Sequence, residues 1–179
     1  MDRFADAGHN VTRLDMSPAR HDHPHIIADI DEYTPTGYDA AICCPPCQWL
    51  SKAQQYRFRK HPETQEHTLA AVERVRRLWS LPIDKILIEN PPGHLNKMWR
   101  YPTQIVRPWY FGDPYSKEIC LWLKNLPPLM ATVYSTGRKK VSNHTNARMT
   151  QEERMHVRSS WDRYPGLIDA LLHQKFKTP

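Results

Sequence analysis

Apolar positions in this chain fall into two rhythms. Short continuous apolar runs, closed by acids, prolines or cysteines, read as buried strands. They cover residues 11–15, 26–30, 40–44, 85–88, 104–107 and 119–123. Residues 40–44 (Ala40 to Cys44) are apolar throughout, as a parallel strand covered on both faces must be. A helical stripe appears over 62–79. Pro62 suits its first turn, Glu63 its positive end, and Leu69, Val72, Val75, Leu78 and Trp79 its buried face. Residues 4–7 look like the tail of a helix stopped by Gly8, and Leu167, Ile168, Leu171 and Leu172 mark a final helix. Thr150 and Glu153 have capping-box spacing, so a helix is expected to begin there. Residues 49–60 read as a polar, aromatic and basic connector, and 17–24 as a loop. Strands alternating with helices predict an α/β fold with a mainly parallel sheet.

Composition narrows this little. At 179 residues, 40% apolar and 25% charged, the chain reads as one globular domain with no internal repeat. No apolar run reaches the length of a membrane span, and the first ten residues lack a secretory pattern, so no membrane partner is expected. Of the four cysteines, Cys43, Cys44 and Cys47 crowd together, which is no disulfide framework and points to a reducing cytoplasm. A net charge of +6 permits a polyanionic partner without identifying one. Sixteen prolines against six glycines imply stiff loops.

The chemistry concentrates at two strand ends. Cys43-Cys44-Pro45-Pro46-Cys47-Gln48 closes one run, and Ile88-Glu89-Asn90-Pro91 closes another about forty residues later. In a parallel sheet both ends share the edge where ligands bind. A thiol facing a carboxyl group can add to an electron-poor ring and manage its proton, so Cys47 and Glu89 are the candidate catalytic pair. Alternatives stay open: Cys47 as a buried small hydrophobe, or Cys44 and Cys47 as a C-x-x-C redox pair. Zinc lacks a second ligand pair, and His21, His23 and His25 read as a solvated loop. Asp15 and Asp29 end strands on the same edge, where acids bind ribose hydroxyls or form turns. Tyr56, Arg57, Phe58, Arg59 and Lys60 interleave rings with cations, as do the charges of Arg138, Lys139, Lys140, His144 and Arg148. Both stretches suit nucleic acid or plain solvation.

Pro45-Pro46-Cys47-Gln48 resembles the nucleophile motif of cytosine-C5 DNA methyltransferases, and Glu89-Asn90 their Glu-Asn motif, with Pro91 where the family usually has Val. Gln104 and Arg107 weakly resemble the later Gln/Arg motif. Residues 8–47, Pro102-Thr103-Gln104, Phe111-Gly112, Ser116-Lys117, Cys120-Leu121-Trp122-Leu123-Lys124 and Tyr164-Pro165-Gly166 resemble compact, often phage-encoded members. The resemblance implies a Rossmann-like methyltransferase fold working in a (host) cytoplasm. Cys47 would be the nucleophile, Glu89 would hold the edge of a flipped cytosine, and DNA would be the partner. Asp15, Asp29 and Pro45 would line an S-adenosylmethionine site; Gln48, Asn90, Arg57, Arg59, Lys60 and Arg107 would face the nucleic acid. The family opens with a strand and a glycine-rich cofactor turn. Here ten residues precede Val11 and hold no Gly-x-Gly, so the fold is expected to lack its first strand. That strand is central, between those ending at Asp15 and at Cys44. An upstream start, a cofactor-poor relative with another role, or completion by a second chain, as in a homodimer, would each account for this. About forty residues between Leu123 and the last helix leave little room for target recognition. A catalytically silent nucleic-acid or protein binder, or an enzyme of free cytidine nucleotides, are the alternatives.

Overall fold

The strongest apolar runs become the centre of a mixed sheet. The computed structural model describes residues 2–17, 24–52, 55–136 and 164–176. It divides into two compact units, Val11–Val106 with Glu118–Pro128, and Met1–Asn10 with Arg107–Lys117 and Leu129–Pro179.

In the larger unit, β1 (Arg13–Asp15) and β2 (His25–Ile27) form a parallel pair of their own. The second sheet contains β3 (Ala40–Cys43), β4 (Lys85–Asn90), β5 (Gln104–Val106) and β6 (Ile119–Lys124) in the order β3-β4-β6-β5. β3 is parallel to β4, whereas β6 runs antiparallel to both β4 and β5. The fold is therefore α/β with a mixed sheet. Apolar runs carry no sign of direction, so the reversal of β6 is invisible in the pattern.

α3 (Gln65–Trp79) packs Val72, Val75 and Leu78 into a core with Leu50, Ile86, Ile88, Leu95, Cys120 and Trp122. A single 3₁₀ turn at Pro62–Thr64 precedes it. Leu69, expected on its buried face, is exposed; Thr68 is buried instead. The Thr68 hydroxyl donates to the Trp49 carbonyl at 3.3 Å, and Trp49 stacks on His67 at 4.8 Å, so the helix rotates to clasp the segment after β3.

Other boundaries shift too. β3 is the edge of its sheet and only half-buried, despite its apolar run. β2 stops at Ile27, and Asp29 instead sits in a turn, its carboxylate accepting the Asp31 N–H at 2.9 Å. The expected connector over 49–60 contains α2 (Gln55–Lys60). β4 extends through Glu89 and Asn90, which pair with Leu121 and Cys120 rather than forming a turn. α4 (Leu95–Met98) follows closely.

In the smaller unit, α1 (Asp2–Asp6) and α5 (Pro165–Lys175) are joined by the Arg3–Asp169 ion pair and by Phe4 against Phe176. Buried Asp113 caps α5, accepting the N–H groups of Gly166 and Leu167 at 3.0 Å each. No helix among the described residues is long and apolar enough to cross a membrane. Thr150 and Glu153 lie outside the described residues, as do His21, His23 and the basic stretch from Arg138 to Arg148.

Candidate active site

The segments that bear the thiol and the carboxyl group are brought to one sheet edge by register and fastened to each other by hydrogen bonds. β3 and β4 are parallel neighbours whose last pair is Cys43 with Ile88. Beyond it the chain leaves β3 through Cys44, Pro45 and Pro46 into a 3₁₀ turn over Cys47–Trp49, while β4 continues to Glu89 and Asn90. Both segments thus emerge on one sheet edge.

Three hydrogen bonds tie them. The Asn90 Nδ2 amide donates to the Pro45 carbonyl at 2.9 Å, and the His94 N–H donates to the Leu50 carbonyl at 2.7 Å. The Lys52 N–H donates to the Pro92 carbonyl at 3.2 Å, and the two backbone bonds together make the antiparallel bridge of Ser51 with Gly93. At Gly93 the two backbones nearly touch: a Cβ there would lie 1.9 Å from the Leu50 carbonyl oxygen. Only glycine permits that approach. Gly93 and His94 are thus structural parts of the site that motif reading passes over. Their signal in the sequence is a glycine directly after the stiff Pro91-Pro92 pair.

Burial sorts the four thiols. Burial pushes Cys43 up to about 12 and Cys120 up to about 11, so both stay protonated and inert at neutral pH. Cys44 and Cys47 are exposed, and none of the four is in a disulfide. Cys47 heads a turn of only three residues, so the helix that a redox C-x-x-C pair begins is not behind it. Among the described residues no three His, Cys, Asp or Glu side chains converge as metal ligands.

The floor of the site holds polar groups with spare capacity. Asn90 is 1% exposed; its amide nitrogen is used, but its Oδ1 has no hydrogen-bond partner among the described residues. The buried Nε2 of His94 is likewise unpartnered. Burial, helped by nearby Lys97, lowers the His94 pKa and keeps its ring neutral. Unsatisfied buried groups cost about 1–3 kcal/mol each and so call for an explanation. Glu89 is half-buried at the end of β4.

The remaining candidates separate. Gln48 is exposed beside Cys47. α2 carries Arg57, with Arg59 and Lys60 exposed, and its Phe58 packs on His94 with ring centroids 5.0 Å apart. Pro45 takes part through its carbonyl. Asp15 ends β1: burial works to raise its pKa, but the Ser17 N–H and the Arg13 guanidinium outweigh it and hold the carboxyl below its ordinary value. One oxygen accepts Ser17 at 2.9 Å, the other Arg13 at 3.3 Å. Gln104 begins β5, whereas Arg107 belongs to the smaller unit, where it donates to the Tyr110 hydroxyl at 3.1 Å. His25 begins β2.

Comparison with protein-family models, with curated proteins and with solved structures finds no match for this chain.

Proposed function

We propose that this chain is an S-adenosylmethionine-dependent cytosine-C5 methyltransferase acting on DNA, with Cys47 as nucleophile and Glu89 as its acid partner. The observation that carries the reading is the Asn90–Pro45 hydrogen bond, which fastens the Cys47 turn to the strand end bearing Glu89. The break between the β1–β2 pair and the larger sheet supports it as well, because it falls where the resemblance places the absent strand.

In this scheme the Cys47 thiolate forms a bond to C6 of cytosine. The C5–C6 π electrons shift toward C4, and the ring nitrogen N3 gains a proton that Glu89 holds by a hydrogen bond. C5 becomes electron-rich. After C5 gains a methyl group it loses its proton, the sulfur leaves C6, and the aromatic ring returns. The buried, unpaired Oδ1 of Asn90 is an acceptor suited to an amino group at the base edge.

Asp15 and Asp29 fit the ribose hydroxyls of the cofactor. Asp15 ends β1 and Asp29 lies two residues beyond its parallel neighbour β2, and a carboxylate oxygen has more than one acceptor direction, so the bonds from Ser17, Arg13 and Asp31 leave capacity. When bound, the cofactor supplies the electrophilic methyl group. Those same turn bonds favour a second reading, in which the chain keeps its basic surface and binds nucleic acid without methyl transfer.

Calorimetry with S-adenosylmethionine separates the two. Micromolar binding lost in Asp15→Ala, with methyl transfer to DNA lost in Cys47→Ser, is the expected result. Absence of binding at millimolar cofactor overturns the transfer mechanism.

A further inference from the structure

The smaller unit carries an aromatic cluster that the proposed chemistry does not use. Trp109, Tyr110 and Tyr134 meet pairwise, with ring centroids 4.5, 5.4 and 5.8 Å apart. The cluster sits on a rigid backing. The Ser135 N–H donates to the Trp109 carbonyl at 2.9 Å and the Thr132 N–H to the Tyr110 carbonyl at 3.1 Å, while Val133 bridges Phe111. Such pinning would be expected for a buried core, yet Tyr134 is 63% exposed and its neighbours Val133 and Met130 are 58% and 75% exposed. Three rings gathered beside exposed Val133 and Met130 make a patch of flat apolar faces open to solvent, and such a patch points to a ligand.

Charge decides which ligand. The Arg107 guanidinium is tied to the Tyr110 hydroxyl and so holds a cation against the rings. The whole chain carries +6. Rings interleaved with cations fit a polyanion that also offers flat faces, which is a nucleic-acid strand. In a duplex those faces are stacked inside, so only unpaired bases can lie on the rings.

We infer that Trp109, Tyr110 and Tyr134, with Arg107, form a stacking platform for unpaired bases of single-stranded DNA. The inference deepens the reading of DNA as substrate and rests on it for the choice of DNA. A platform of this kind reads base faces rather than base edges. It therefore gives affinity with little sequence preference.

The test uses the full chain with Cys47→Ser and no cofactor, so that no chemistry intervenes. Anisotropy of a fluorescein-labelled twelve-nucleotide oligothymidine is compared with that of a labelled hairpin duplex. The single strand should bind more tightly. Tyr134→Ala should weaken it by about 5- to 150-fold, the range for losing one stacked base, whereas Tyr134→Phe should bind as the parent does. Quenching of tryptophan fluorescence on binding should shrink in Trp109→Phe. Tyr134 is exposed, so its variants keep the fold, checked by circular dichroism. Unchanged affinity in Tyr134→Ala, preference for the duplex, or no binding overturns the platform. Methyl transfer to DNA by the parent chain with cofactor, together with an affinity that Tyr134→Ala leaves unchanged, would refute the platform alone; Tyr134-dependent binding with no methyl transfer by the parent chain would refute the enzyme reading alone.

Discussion

Replacing Gly93 with alanine should damage the site more than any change of a charged residue around it. The added Cβ would stand 1.9 Å from the Leu50 carbonyl oxygen and 2.9 Å from the Leu50 carbonyl carbon and the Ser51 Cα. All three are backbone atoms, so no side chain can swing aside. The loop after β4 must move away from the segment after Cys47, and the first losses are the His94–Leu50 and Lys52–Pro92 hydrogen bonds. Two such bonds contribute about 0.5–1.5 kcal/mol each, and overpacking adds about 1–3 kcal/mol. A total of about 2–6 kcal/mol is expected in urea unfolding, and the proposed methyl transfer should fall further because the segments bearing the thiol and the carboxyl group lose their common frame. Gly166→Ala provides the contrast. Its Cβ meets the Phe111 carbonyl oxygen at 1.9 Å, a clash of the same size, but within the other unit. Gly166→Ala should lower stability comparably while sparing the reactivity of Cys47 in folded protein. The reasoning is refuted if Gly93→Ala unfolds at the parent's urea concentration and keeps the parent's Cys47 alkylation rate.

Two further outcomes follow from the same geometry. Iodoacetamide at pH 8 should modify Cys47 and Cys44 in native protein, and Cys43 and Cys120 only after urea; a thiol at about 12 is ionised to only about one part in ten thousand at that pH. Peptide mapping that finds Cys43 labelled as fast as Cys47 would contradict this. The Asp31 carboxylate is held below its ordinary pKa chiefly by hydrogen bonds from Arg74, with Arg77 adding charge, so its stabilisation is present above about pH 4 and lost as pH falls through the depressed value. Asp31→Asn should therefore cost about 1 kcal/mol at pH 7, allowing for solvent screening, and nothing near pH 2; a pH-independent difference in melting would sink that assignment.

The placement of the Cys47 and Glu89 segments was more legible in the sequence than the sheet that carries them. Apolar runs closed by Cys-Pro-Pro-Cys and by Glu-Asn mark where β3 and β4 end. The reversal of β6 is hidden, since Ile119 to Leu123 would be equally apolar in either direction. α2 is hidden because its charges and rings have no clear apolar stripe, and its anchor, Phe58 on His94, is a long-range contact. Leu69 misleads for the same kind of reason: the rotation of α3 is set by Trp49 and Thr68, which no local period reports. The continuation of β4 through Asn90 depends on β6 being there to pair with it.

The most direct test of Cys47 chemistry is covalent trapping. DNA containing 5-fluorocytosine and S-adenosylmethionine are incubated with the chain, because a fluorine at C5 cannot leave as the proton does and the sulfur stays bound to C6. Mass spectrometry should find the oligonucleotide joined to the peptide containing Cys47, and no adduct in Cys47→Ser. An adduct on another cysteine, or none with folded, DNA-binding protein, would contradict the account.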